Sequence, residues 1–124
     1  MSDPKRTILI AEDDDQFRTL LTRFLEPHYQ VLAANNGEDA LAMARKESPA
    51  IVLTDVLMPK KSGVELLQEL RENETTKDIP VIILLATAFP ADIKAAQSLN
   101  ASDILPKENV TRQTLLEIVE KYIK

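Results

Sequence analysis

Short apolar runs and longer amphipathic stretches alternate along this chain. The runs fall at residues 8–11, 31–34, 51–53, 81–85 and 104–105. Each is short and unbroken, which suits a strand covered on both faces, the pattern of a parallel sheet. Between the runs the period lengthens. Phe17, Leu20, Leu21, Phe24 and Leu25 recur at i, i+3, i+4, i+7 and i+8, predicting a helix with one apolar stripe. Leu115, Ile118, Val119, Tyr122 and Ile123 repeat that spacing, and Thr111 stands where an N-cap belongs. Weaker helical patterns cover about residues 37–47, 63–72 and 89–99. The first and last of these are rich in alanine and so predict close packing on the sheet.

Strand–helix alternation repeated five times predicts an α/β fold, a (βα)5 doubly wound parallel sheet with helices on both faces. Sites in such sheets form beyond the carboxyl ends of the strands, near the point where strand order reverses. The residues there carry chemistry. The first strand is expected to end in Ala11-Glu12-Asp13-Asp14-Asp15, the third in Thr54-Asp55 and the fifth in Leu105-Pro106-Lys107. If these strands are neighbours, several carboxylates and one ammonium converge. Carboxylates a few ångströms apart repel unless a cation lies among them, and all-oxygen ligands favour Mg²⁺. Such a pocket suits phosphoryl transfer to a carboxylate, with a lysine pairing a phosphate oxygen. Asp55 follows Ile51-Val52-Leu53 and would project from a rigid strand, as a nucleophile should.

Composition narrows the classes. A length of 124 residues fits one domain, expected to span 1–124 with no output domain in this chain. The net charge of −5 and the absence of any basic patch argue against a nucleic-acid surface. With no cysteine, disulfides and thiolate metal sites are excluded, and the lone His28 is expected on a surface loop. No apolar signal region follows the first residues, and the longest apolar stretch, 81–89, is about half a membrane span. A cytoplasmic protein is the expectation.

Each candidate residue also has a plainer explanation. Three aspartates before an amphipathic helix often serve only as cap and dipole partners, and Asp14 or Asp15 is expected to be that cap. A lone aspartate after a strand is more often a turn residue, and a lone lysine is usually just solvated. Their combination at one sheet edge outweighs these readings.

The order of motifs resembles the receiver domains of response regulators in two-component signalling. Ile8-Leu9-Ile10-Ala11-Glu12-Asp13-Asp14 with Arg18 resembles the opening of those domains, as does Asn36-Gly37-Glu38-Asp39-Ala40-Leu41. Asp55-Val56-Leu57-Met58-Pro59-Lys60-Lys61-Ser62-Gly63 matches the aspartate–x–x–Met-Pro–x–x–x–Gly signature. Ile79-Pro80-Val81-Ile82 and Leu105-Pro106-Lys107 match the start of the fourth strand and the end of the fifth. The resemblance covers essentially the whole chain and implies a flavodoxin-like strand order of 2-1-3-4-5. It implies that Asp55 accepts phosphate, from a phosphohistidine on a sensor histidine kinase or a histidine phosphotransfer protein. Asp13, Asp55 and the backbone carbonyl of Leu57 would bind Mg²⁺ directly, Glu12 through a bound water, and Lys107 would contact the phosphoryl group. Such a domain is a switch and not an enzyme in the ordinary sense, catalysing at most its own phosphorylation and dephosphorylation.

Three positions depart from the family pattern. The Thr or Ser at the end of the fourth strand is Leu85, which cannot donate a hydrogen bond. Thr87 could take that place only if the strand shifts by two residues or bulges. The usual aromatic three residues before the lysine is Ile104, and Lys107 is followed by Glu108 instead of proline. The loop after the fifth strand is therefore expected to differ in shape. These substitutions favour an alternative, a pseudo-receiver that binds proteins without being phosphorylated; the intact acidic set opposes it. An aspartate-dependent phosphatase would need a second aspartate where Leu57 stands, and two glycines are too few for a dinucleotide fingerprint.

Overall fold

The computed structural model describes residues 6–86 and 90–123. Five strands, β1 (Thr7–Ala11), β2 (Gln30–Ala34), β3 (Ile51–Asp55), β4 (Val81–Leu85) and β5 (Asp103–Pro106), alternate with five helices. The helices are α1 (Asp15–Leu25), α2 (Gly37–Glu47), α3 (Gly63–Glu72), α4 (Pro90–Ser98) and α5 (Arg112–Tyr122). All strand pairs are parallel and the order is β2-β1-β3-β4-β5, the flavodoxin-like arrangement expected.

The apolar runs are continuous because both faces of the sheet are covered. Ile8, Ile10, Leu53, Ile82 and Leu84 pack with Leu21 and Leu25 of α1 and Leu115 and Val119 of α5. Residues of opposite parity, Leu9, Ala11, Val52, Val81, Ile83 and Leu85, pack with α2, α3 and α4 through Ala40, Leu66, Leu70 and Ala96. The small Ala40, Ala44 and Ala96 are fully buried, consistent with helices lying close on the sheet.

Helix starts follow local chemistry. Asp14 caps α1 by accepting the Gln16 N–H, Asn36 caps α2 through the Asp39 N–H, and Ser62 with Glu65 forms a capping box on α3. Thr111 caps α5 as its position in the sequence predicts. The strands run slightly beyond the apolar letters: β3 continues through Thr54 to Asp55, and β5 includes Asp103 and Pro106. His28 is exposed in the turn after α1.

Register decides what meets at the sheet edge. Ala11 aligns with Thr54, Asp55 with Leu84, and Leu85 with Pro106. The residues that follow β1, end β3 and follow β5 therefore share one rim. Chain order reverses between β1 and β3, where a crevice is expected.

Candidate functional site

Glu12 leaves β1 with its backbone held from two sides. Its N–H donates to the Ala34 carbonyl (3.0 Å), and its own carbonyl accepts from Nη1 of Arg18 (2.9 Å). The side chain is fully buried, whereas neighbouring Asp13 is exposed. Asp55, the last residue of β3, is 7% exposed, and its Oδ1 accepts the Val56 N–H at 2.8 Å. Lys107 opens a single 3₁₀ turn, Lys107–Asn109, directly after β5. Its Nζ lies 2.6 Å from Glu12 Oε1 and 3.1 Å from Asp55 Oδ2, and 4.9 Å from the centroid of the Phe17 ring. Residues from three strand ends thus form one hydrogen-bonded cluster.

Glu12, Asp13 and Asp55 can each present a carboxylate oxygen within 4.8 Å of the others. Among the described residues no other group of three or more acidic, histidine or cysteine side chains comes as close. Oε2 of Glu12 is buried and has no hydrogen-bond partner. A buried carboxylate oxygen without a donor carries a desolvation cost that a cation would remove. With only hard oxygen donors on offer, the set fits Mg²⁺. Leu57 stands two residues after Asp55, is 70% exposed, and belongs to neither apolar cluster.

Burial pushes the Glu12 carboxyl up to about 8, reinforced by Asp55 and opposed by the hydrogen bond from Lys107. For Lys107, burial works against the charge, but the hydrogen bonds and attraction of Glu12 and Asp55 together raise its ammonium above the ordinary value. The Lys107 ammonium, bonded to both acids, holds this cluster together.

The signature glycine has a steric reason. A Cβ on Gly63 would lie 1.9 Å from the Asp55 carbonyl oxygen, so only glycine lets α3 begin against the backbone of the acceptor candidate. The Gly63 N–H donates to the Val56 carbonyl (2.7 Å), tying the two ends of the intervening loop.

Leu85 ends β4 and is 3% exposed, sharing an apolar cluster with Ala96 and with Ile104, which packs against it. The position where the family carries a hydroxyl is therefore filled by core. Thr87 lies outside the described residues. The chain after Lys107 turns through the 3₁₀ segment, closed by the Val110 N–H on the Lys107 carbonyl (3.1 Å). Sequence reasoning did not foresee the Arg18 bond to Glu12, the Lys107 contact with Phe17 or this turn. All three arise from tertiary placement; only the position of Arg18 in its motif gave a signal.

A parallel five-stranded sheet of this order, with acids and a lysine at its carboxyl rim, is the fold of receiver domains. The model of the response regulator receiver domain matches residues 8–120, and the chain belongs to that family. Protein PilH of Pseudomonas aeruginosa is 38% identical over 113 residues, covering 90% of this chain and 93% of PilH. The probable transcriptional regulator ycf27 of Porphyra purpurea is 38% identical over 108 residues, 86% of this chain. The chain spans only 43% of the length of that relative. Among solved structures, the receiver domain of the sensor histidine kinase PA1611 from Pseudomonas aeruginosa superposes with a TM-score of 0.89 at 26% identity, covering 96% of this chain and 98% of that one. A magnesium ion is coordinated in the active-site cleft of that domain. Receiver domains of this family serve two-component signal transduction and are switches in place of classical enzymes. No helix among the described residues is long and apolar enough to cross a membrane.

Proposed function

We propose that residues 1–124 act as one phosphoacceptor unit in which Asp55 takes a phosphoryl group from a phosphohistidine of a sensor histidine kinase or histidine phosphotransfer protein. The observation that carries this reading is the buried cluster itself: Asp55 beside a half-satisfied Glu12, with Lys107 within bonding distance of both.

In the step proposed, a carboxylate oxygen of Asp55 attacks phosphorus and the phosphorus–nitrogen bond breaks. The electron pair returns to the imidazole nitrogen, which takes up a proton, and Asp55 becomes an acyl phosphate. Lys107, already at Asp55 Oδ2, is placed to pair with a phosphoryl oxygen. Asp13, Asp55 and the Leu57 carbonyl would hold Mg²⁺ directly and Glu12 through water; when bound, the ion supplies positive charge facing the transferred group. Glu12, kept up by burial, would release its proton as the cation arrives. Residue Leu85 contributes no hydrogen bond to the product, so phosphorylation and its readout are separable here.

Acetyl phosphate with Mg²⁺ is expected to label the wild type at one residue and to leave Asp55→Asn unlabelled. Equal labelling of the two, or none in either, overturns the assignment. The second outcome, with the fold intact by circular dichroism, would instead support the phosphorylation-independent binding module that the buried Leu85 favours.

A further inference from the structure

The loop between β3 and α3 carries a strained turn beside the acceptor candidate. Lys61 N–H donates to the Pro59 carbonyl at 2.8 Å, closing a three-residue turn about Lys60. Lys60 has φ of 68°, in the left-handed region that a non-glycine side chain disfavours. Such a conformation persists only where its surroundings over-determine it. The surroundings here are two contacts on the next residue. A Cβ on Gly37, the first residue of α2, would lie 2.2 Å from the Lys61 carbonyl oxygen, so the absence of a side chain there admits the loop backbone. On its other side the Lys61 ammonium pairs with Glu69 of α3, whose Oε2 is buried. The hydrogen bond to Glu69 raises the Lys61 ammonium above its ordinary value against desolvation, with attraction to Glu69, Glu65 and Glu38 adding to it.

We infer that Gly37, Lys61 and Glu69 are positioning residues for the acceptor site: they clamp the strained turn and so fix the loop that leads out of Asp55 through Val56 and Leu57. None of the three touches the carboxylate cluster. The inference rests on the phosphoacceptor reading, because what the clamp holds in place is the segment assigned there to bind Mg²⁺. Removing the clamp lets the turn relax about Lys60, and the outlay in ordering the loop then falls on cation binding.

Mg²⁺ titrations followed by amide signals of residues 54–58 test this, at a temperature well below each variant's melting midpoint. Glu69→Gln and Lys61→Met are both expected to weaken Mg²⁺ binding by about tenfold, the lower range for losing an outer partner of a metal site. Simple electrostatics predicts opposite signs: losing an acid weakens cation binding, whereas losing an ammonium strengthens it. Unchanged or tighter Mg²⁺ binding by Lys61→Met therefore overturns the clamp. The exchange of both, Lys61→Glu with Glu69→Lys, is expected to recover part of the loss. Adding Lys60→Gly to Glu69→Gln is also expected to recover affinity, because glycine accepts the left-handed turn without a clamp. If the single variants unfold, the two double variants are compared with the wild type: Mg²⁺ binding weakened about tenfold or more in both removes the proposal. A wild type that binds neither Mg²⁺ nor beryllofluoride would instead sink the phosphoacceptor reading and leave the geometry of the loop untouched.

Discussion

Glu12 is the residue at which burial and charge are most finely opposed. Its side chain is fully buried, Lys107 satisfies one oxygen, and the other has no donor. Desolvation wins, and the folded protein holds the proton up to about pH 8 against an ordinary value of 4.5. A carboxyl whose folded pKa is raised stabilises the fold fully below its unfolded pKa and loses that contribution as pH climbs through the folded one. The window is therefore pH 4.5 to 8. The wild type is expected to lose melting temperature across it relative to Glu12→Gln, whose amide does not titrate. Mg²⁺ needs the carboxylate, so its affinity should rise over the same window and its binding should release a proton. Calorimetric Mg²⁺ titrations in buffers of different ionisation enthalpy measure that proton. A pH-independent difference between the two proteins would mean that Glu12 is already ionised in the fold.

The elements differ in how much of them can be read from the letters alone. Strands wholly inside the sheet, such as 81–85, are visible because all five residues are buried and apolar. The end of β3 is legible too: Thr54 and Asp55 are polar but directly follow the apolar run, and pairing with β1 and β4 holds them in the strand. Helix starts were legible at Thr111, a cap followed by an apolar stripe, and narrowed to two aspartates before α1. The acids and lysine of the candidate site were legible as a set because a parallel sheet brings successive strand ends to one rim. Long polar side chains were not, since their partners are far away in sequence. Arg71 of α3 shows this. Its guanidinium donates to the carbonyls of Lys77 (3.0 Å), Ile79 (2.8 Å) and Asn100 (3.0 and 3.3 Å), tying the end of α3 to the segments before β4 and β5. Hydrogen bonds to a charged group contribute about 1.5–3 kcal/mol each, less what water returns at the exposed ones. Arg71→Ala is expected to cost about 2–3 kcal/mol in urea unfolding. Arg71→Lys should recover less than half of that, because a point charge cannot reach both segments as the planar fork does. The Arg71 bonds lie at the rim opposite Asp55, so labelling by acetyl phosphate should be unaffected in both variants.

At the scale of the whole molecule, the sheet separates two routes by which a change at Asp55 could reach the surface. Along β4, successive residues alternate between the two apolar clusters, and the strand ends in Leu85. This route offers no hydrogen-bonding side chain among the described residues of β4, so a new phosphoryl group has nothing there to pull on. The route through β5 is polar and connected. Lys107 bonds both carboxylates, and its carbonyl closes the 3₁₀ turn by accepting from Val110. Asn109 in that turn accepts from Thr114 Oγ1 (2.8 Å), and Thr114 is half of the capping box that begins α5. A shift of Lys107 toward a phosphoryl oxygen would pass through these bonds to the first turn of α5. Beryllofluoride with Mg²⁺ should move amide signals at residues 54–58 and 105–108, and continue through 109–116 with little change in 81–85. Thr114→Val cuts the link to Asn109 while leaving the carboxylates and Lys107 alone. In that variant the shifts at 54–58 and 105–108 should persist and those beyond 110 should shrink. If instead the strongest changes fall on β4 and α4 in both proteins, the signal leaves by the apolar route, and Leu85 must move as a packed side chain to carry it.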